Sequence, residues 1–250
     1  VKSELSSNKK KATLLVKYQL VDSRTYEITY TVYSDSVVKV HVEYHANNAL
    51  ADQPDIPRVG LRFRAPLDLN SVTYYGLGPH ENYWDRKSGA QVSEYTTTAD
   101  DMYTPYVRPQ ENGHRCDIRW MSLQRKSSLR KQYSDVKKFG LLFVAEELFE
   151  FNALRNTVED FDDEDQVELA YQFSNFDDCF HTHLPCNHDN QTAKNTLRRQ
   201  HHVDDVVPHN FVEVNIDYKM MGLAGYDSWG DKPLPEHTLS AQNDYTFGFT

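Results

Sequence analysis

Long apolar runs are missing from this 250-residue sequence. The longest spans Leu141 to Ala145, far short of the ~18 residues that a membrane-crossing helix needs. Basic charge is also scarce: 37 acidic residues stand against 27 basic ones, for a formal net charge of −10. That balance argues against a nucleic-acid groove, because a phosphate backbone requires a basic face. The 3 cysteines are an odd number, which excludes a complete disulfide framework and leaves at least one thiol free or paired elsewhere. The opening Val1-Lys2-Ser3-Glu4 has neither an initiator Met nor the apolar stretch of a signal peptide, and reads as a cut inside a longer protein. No segment holds an i, i+3, i+4, i+7 apolar pattern over three turns, and no internal repeat occurs.

Strand-forming residues are abundant. Sixteen Tyr and 12 Phe, with many Val and Thr, favour pleated structure, on which branched and aromatic side chains pack well. Leu14, Val16, Tyr18 and Leu20 alternate with polar residues, as do Tyr26, Ile28, Tyr30 and Val32, and then Val38, Val40, Val42 and Tyr44. Turn residues Asp22-Ser23 and Ser34-Asp35-Ser36 separate these runs, which predicts an antiparallel meander. Further strands are expected at Val59 to Phe63, Asp117 to Leu123, Phe139 to Phe151, Val212 to Tyr218 and Tyr245 to Phe249. The apolar residues of Phe139 to Leu154 are too dense for periodicity to separate strand from helix. The fold class implied is all-β, a sandwich or barrel with polar loops. Between Glu159 and His209 the chain turns polar and reads as an excursion from that sandwich.

Several stretches offer chemistry. Cys179, His181, His183, Cys186 and His188 are zinc-type ligands, but their spacing fits no usual finger or ribbon, and they read as a polar loop. The acidic run Glu159-Asp160 and Asp162 to Asp165 lacks the loop that calcium sites commonly use and reads as a solvated surface. Gly76-Leu77-Gly78-Pro79 is no dinucleotide loop, because the third Gly is absent and Pro79 removes an N–H. Glu81-Asn82-Tyr83-Trp84-Asp85-Arg86 reads as an Arg–carboxylate clamp holding a loop, with a sugar subsite as the other reading. A retaining glycosidase needs two carboxylates ~5 Å apart. Glu81, Asp85, Asp101 and Glu111 are available, yet spacing nominates no pair. No Gly-x-Ser-x-Gly elbow is present. In Tyr226-Asp227-Ser228-Trp229-Gly230 the indole of Trp229 is either a stacking platform for a sugar face or partly buried loop packing.

Taken together, these stretches resemble a known family. Tyr75 to Arg86 resembles the Gly-Leu-Gly-Pro-x-Glu-Asn-Tyr-x-Asp-Arg signature in the C-terminal domain of large LacZ-type β-galactosidases of glycoside hydrolase family 2. Met102 to Gly113, continuing through Arg115 and Arg119-Trp120, is similar to a second block of that domain. Phe149-Glu150-Phe151-Asn152 resembles a third, and Gly222 to Trp229 a fourth. The blocks keep the family's order, over roughly residues 58 to 161 and 200 to 250.

The resemblance implies a galactose-mutarotase-like β-supersandwich, a single domain over residues 1–250 cut short at its N-terminus, with a polar insertion at about 162–199. It implies that the two catalytic glutamates, together with the magnesium and sodium sites, belong to a (β/α)₈ barrel domain. No catalytic residue, metal ligand or bound cofactor is then expected in this chain. The one residue carried over is Trp229, which stands where the family places a Trp that stacks on the aglycone sugar. The partners implied are a β-galactoside on its aglycone side, the barrel of the same enzyme and further copies in a homo-oligomer, with neither nucleic acid nor membrane. Two other readings stay open. One is an autonomous carbohydrate-binding module. The other is an aldose-epimerase-like enzyme using His80 with Glu81, or His114 with Glu111, as acid and base.

Overall fold

The computed structural model describes residues 2–7, 10–20, 23–47, 54–125, 140–161, 202–226 and 230–250. Among them are eleven β-strands and no α-helix. The strands are β1 (Lys2–Ser7), β2 (Lys11–Gln19), β3 (Thr25–Tyr33), β4 (Val38–His45), β5 (Arg58–Pro66), β6 (Ser71–Gly78), β7 (Gln91–Thr98), β8 (Arg115–Gln124), β9 (Gly140–Leu154), β10 (Phe211–Met220) and β11 (Tyr245–Phe249). All pairings are antiparallel. The meander β2–β4 forms as its alternation predicts, with β1, which no alternation in the sequence marks, added to its edge. Its tight β3–β4 turn is held by the Val37 N–H donating to Asp35 Oδ1 at 3.2 Å, with Ser36 at φ 70°.

The order β1-β2-β3-β4-β11-β9-β8-β6-β7 is interrupted at β9, which also pairs with β10, and β10 in turn with β5. The ambiguity of the dense apolar segment is thereby resolved. It is one 15-residue strand, and no helix forms because each half of it has strand partners on both sides. Along one edge β9 follows β8; along the other it meets β11 near Ala145 and β10 from Glu150 to Leu154. Its first half is exposed or half-buried and its last six residues are buried. The strand thus passes between two layers, β1–β4 with β11 in one and β5, β10, β8, β6 and β7 in the other. Ring contacts join the layers, with Phe149 and Phe249 centred 6.4 Å apart and Tyr218 and Phe247 6.3 Å apart. A single apolar cluster fills the space between, including Ile28, Val42, Phe63, Val72, Ile118, Phe151, Val214, Ile216 and Phe249. The fold is an all-β sandwich.

Some expectations need correction. Strand β2 stops at Gln19, its residues Ala12 to Lys17 are only half-buried, and Leu20 lies beyond it and exposed, because among the described residues β2 packs chiefly against its sheet neighbours β1 and β3. Val32 and Val38, expected on the core face, are 46% and 39% exposed at the open end of the β3–β4 hairpin. Strands β6 and β7 were not anticipated. The Gly76-Leu77-Gly78 run is the end of β6, followed by a cis Gly78–Pro79 bond. Gly76 suits that strand because a Cβ there would stand 2.3 Å from Ile118 Cδ1 on β8. The His/Cys cluster Cys179 to His188, residues 162–165 of the acidic run and the insertion at about 162–199 lie outside the described residues; the first two acids of the run, Glu159 and Asp160, are not merely solvated but meet Arg62 at 2.6 Å and His209 at 2.9 Å.

Candidate functional site

Strands β9 and β10 alternate in a way that normally means one buried and one wet face. Val212, Val214 and Ile216 do enter the core, yet the intervening Glu213, Asn215 and Asp217 are buried too, as are Glu150 and Asn152 beside them. Three chain segments, 79–86, 102–113 and 221–224, cover this second face and turn it into a polar layer. A bulge helps to shape it. At Asp117, where φ is 54°, the register of β8 shifts against β9. His114 and Cys116 accordingly face the polar layer while Ile118 reaches the apolar core.

Arg58 of β5 is the cation at the centre. Its Nη2 donates to Glu111 Oε1 at 2.9 Å, and its Nε lies 3.1 Å from Asp217 Oδ2, an ion pair off the hydrogen-bond line. Asn152 Nδ2 donates to the same Glu111 oxygen at 3.0 Å and to the Asn112 carbonyl at 3.4 Å. Asn215 donates to Asn152. Burial pushes the Asp217 carboxyl up to about 7 against the pull of Arg58 and His114, since a carboxylate with no surrounding water disfavours its charge. His114 Nε2 is 2.9 Å from Glu150 Oε2, which also accepts the Met220 N–H at 2.8 Å. The Tyr83 ring stacks on the His114 ring, 5.5 Å between centroids.

The covering loops are tied down by their own carboxylates. Glu81 accepts from the Gly113 N–H at 2.9 Å and from the hydroxyls of Tyr83 (3.2 Å) and Tyr106. Asn82 bridges, donating to the carbonyls of Leu77 and His80 and accepting the Cys116 N–H at 2.9 Å. Asp85 accepts the N–H groups of Leu223 (3.2 Å) and Ala224 (2.8 Å), and Arg86 donates to the Ala224 carbonyl. These contacts hold the left-handed turn at Ala224 and Gly225, φ 56° and 75°, a few residues before Trp229 in the sequence. Trp84 has Lys219 Nζ 4.1 Å above its ring and His237 edge-on.

Several sequence expectations change here. The clamp between Glu81 and Arg86 exists in another form. Asp85 and Arg86 grip the backbone of residues 223–224, and the Arg–carboxylate clamp of this polar layer is Arg58 with Glu111 and Asp217. Of the residues in the epimerase reading, His114 is buried against Glu150, Glu111 is engaged by Arg58, His80 is exposed, and Glu81 accepts from Tyr83, Tyr106 and Gly113. Asp101 caps a turn through Thr98 at 2.7 Å. The four carboxylates nominated for glycosidase work are therefore each bound to other parts of this chain. Trp229 lies outside the described residues; on its two sides, Tyr226 is 52% exposed and Gly230 has φ 82°. Sequence reasoning missed Arg58, His114 with Glu150, Asn215 and Asp217. Their signal was the strand alternation itself, which marks two faces without saying that loops bury the polar one. Two groups among the described residues have metal-type donors within 4.8 Å of one another, buried His114, Cys116 and Glu150, and half-buried Glu27, Glu43 and His45. In the second group Glu27 is 3.0 Å from Lys17 Nζ.

Comparison with known proteins adds the family. The family model for the β-galactosidase small chain matches residues 1–250. A β-galactosidase of Priestia megaterium is 30% identical over 223 residues, 89% of this chain and 17% of that protein. One of Vibrio cholerae is 29% identical over 221 residues, 88% of this chain and 16% of its own length. A β-galactosidase small subunit of Latilactobacillus sakei is 28% identical over 239 residues, 95% of this chain and 63% of the subunit. The chain thus spans about a sixth of the length of the first two relatives and under two thirds of the small subunit.

Proposed function

The chain belongs to the β-galactosidase small-chain family, and from that premise we propose that it is the C-terminal sandwich of an enzyme that hydrolyses terminal β-galactosides with retention. In this reading the sandwich buttresses a (β/α)₈ barrel, which carries both catalytic glutamates, and lends Trp229 to the aglycone subsite. A retaining mechanism needs one carboxyl as acid and a second, ~5 Å away, as nucleophile. Glu81, Asp85 and Glu111 are poorly suited to either role, because their oxygens already accept from this chain's own donors. Oxygens so engaged also make a poor hard-ligand site for magnesium or sodium, which would bind in the barrel.

The observation that carries the reading is the grip of Asp85 and Arg86 on Leu223 and Ala224. It ties the most family-like block of the sequence to residues 223–224, a few positions before Trp229, and a side chain whose flanking backbone is held in place meets a ligand at a smaller ordering cost. In the full-length enzyme, Trp229→Ala is expected to raise KM for lactose several-fold, the loss of about 1 kcal/mol of stacking. An unchanged KM would remove Trp229 from the subsite.

The carbohydrate-binding module has one observation in its favour, a cleft of about 280 Å³ lined by Tyr26, Tyr44, Arg24, Asp55 and Arg58. Ligand sites usually exceed ~300 Å³ and enclose most of the ligand, so calorimetry of the chain with galactosides is expected to show no heat of binding.

A further inference from the structure

Beneath the segment 79–86, three buried side chains of different chemistry meet in a spot that the β-galactosidase reading does not use. We propose that His114, Cys116 and Glu150 form a buried binding site for one zinc-like divalent metal ion, a staple that joins strand β8 to β9.

Strand geometry puts the donors together. His114 and Cys116 are two residues apart ahead of the bulge and share a face. Glu150 lies on the neighbouring strand, where Arg115 pairs with Phe151. The donor atoms of all three lie within 4.8 Å of one another, a spacing that one tetrahedral ion at ordinary bond lengths of ~2.0–2.3 Å would span after small rotations. The three residues are 0%, 0% and 2% exposed. Two of their atoms, Glu150 Oε1 and His114 Nδ1, are buried with no hydrogen-bond partner, a state that ordinarily costs a folded chain stability.

The donor set chooses the metal. One sulfur, one imidazole and one carboxylate suit zinc and its spectroscopic substitute cobalt, whereas magnesium and calcium prefer oxygen alone. The Asn82 carbonyl, 3.5 Å from Cys116 Sγ, is placed to complete the shell. The charged groups around Cys116 are Glu150, Asp117 and Lys87; Lys87 and Asp117 pair with each other at 2.9 Å, which leaves the Glu150 carboxylate facing the site and favours a cation there. On binding, the Cys116 S–H bond breaks, a metal–sulfur bond forms and the proton passes to bulk water. The Met220 N–H, already bonded to Glu150 Oε2, would hold that ligand in place.

Residues 1–250 contain only two other cysteines, Cys179 and Cys186, so the double variant Cys179→Ser/Cys186→Ser makes Cys116 the one thiol of these residues and leaves the buried cluster intact. Cobalt(II) alone is supplied during expression in minimal medium and again to the purified double variant. The expected result is one equivalent retained through gel filtration, with a near-ultraviolet thiolate-to-cobalt band and the intense visible bands of tetrahedral coordination, all lost on adding zinc. Glu150→Gln in the same background should weaken cobalt retention at least tenfold. No thiolate band in the double variant, or a band that Glu150→Gln leaves at full affinity, overturns the site. Lactose kinetics play no part in the readout, so the proposal stands or falls apart from the assignment of Trp229.

Discussion

At the scale of single residues, the polar layer is governed by how much charge the sandwich buries and what offsets it. Arg58 sits between Glu111 and Asp217. Replacing it with Met keeps most of the volume but leaves both carboxylates facing each other without a cation. Breaking one partner out of a buried ion cluster costs about 3–5 kcal/mol, so Arg58→Met should show a correspondingly lowered urea midpoint, and an unchanged midpoint would mean the cluster is not buried as described. Glu213 tests the opposite case. Its carboxylate is 3% exposed and lies 3.1 Å from Arg64 and 3.4 Å from Arg62, yet burial outweighs both arginines and pushes its carboxyl above the ordinary glutamate value. A raised carboxyl means that the folded chain keeps a proton the unfolded chain has lost. Stability from this group is therefore highest in acid and falls as pH rises from the usual glutamate value to the folded one. Glu213→Gln removes that loss. The gain of the variant over the parent, read from urea unfolding at mildly acidic and at neutral pH, should grow with pH, and a gap that is constant or shrinks would contradict it.

At the scale of elements, the family blocks serve as ties between loops and strands. Asp85 accepts two backbone N–H groups of the 222–225 segment, and Gly222 permits that approach, since a Cβ there would stand 2.7 Å from Asp85 Cγ. Asp85→Ala leaves both donors without a partner. The expected cost is about 1–3 kcal/mol, with faster proteolytic cutting near Gly225 and, in the whole enzyme, a lactose KM that rises as it does for Trp229→Ala. Normal protease resistance would show that this segment is held by something else. How much of this was legible in sequence depends on what each signal encodes. Alternation at Val40, Val42 and Tyr44 or at Val212, Val214 and Ile216 was enough to place strands and their core face. Strands β6 and β7 escaped because Gly76, Gly78 and a polar β7, mostly exposed from Gln91 to Glu94, carry no apolar alternation. The polar layer escaped for a different reason. Glu150, Asn152, Asn215 and Asp217 look like a solvent face until loops from distant positions close over them, and pairings such as His114 with Glu150 depend on tertiary register that one strand cannot specify.

At the scale of the whole molecule, one long strand divided between two layers creates the sandwich, and three loops far apart in sequence converge on one of its faces. Such an arrangement commits its carboxylates to internal ties: Glu81, Asp85, Asp101 and Glu111 are all acceptors for this chain's own groups. The resemblance to β-galactosidases, legible in four ordered blocks, agrees with the family that the full chain matches. In the proposed enzyme, catalysis is a division of labour: bond cleavage belongs to a barrel beyond these residues, and this chain supplies support and one stacking side chain. The most direct test is to trap the galactosyl intermediate of the full-length enzyme with a 2-deoxy-2-fluoro-galactoside and to map the labelled carboxylate by peptide mass spectrometry. The label is expected on a glutamate of the barrel, outside residues 1–250. A label on Glu81, Asp85, Glu111 or any other carboxylate of this chain would contradict the division of labour, and an enzyme that turns over without forming an adduct would contradict retention.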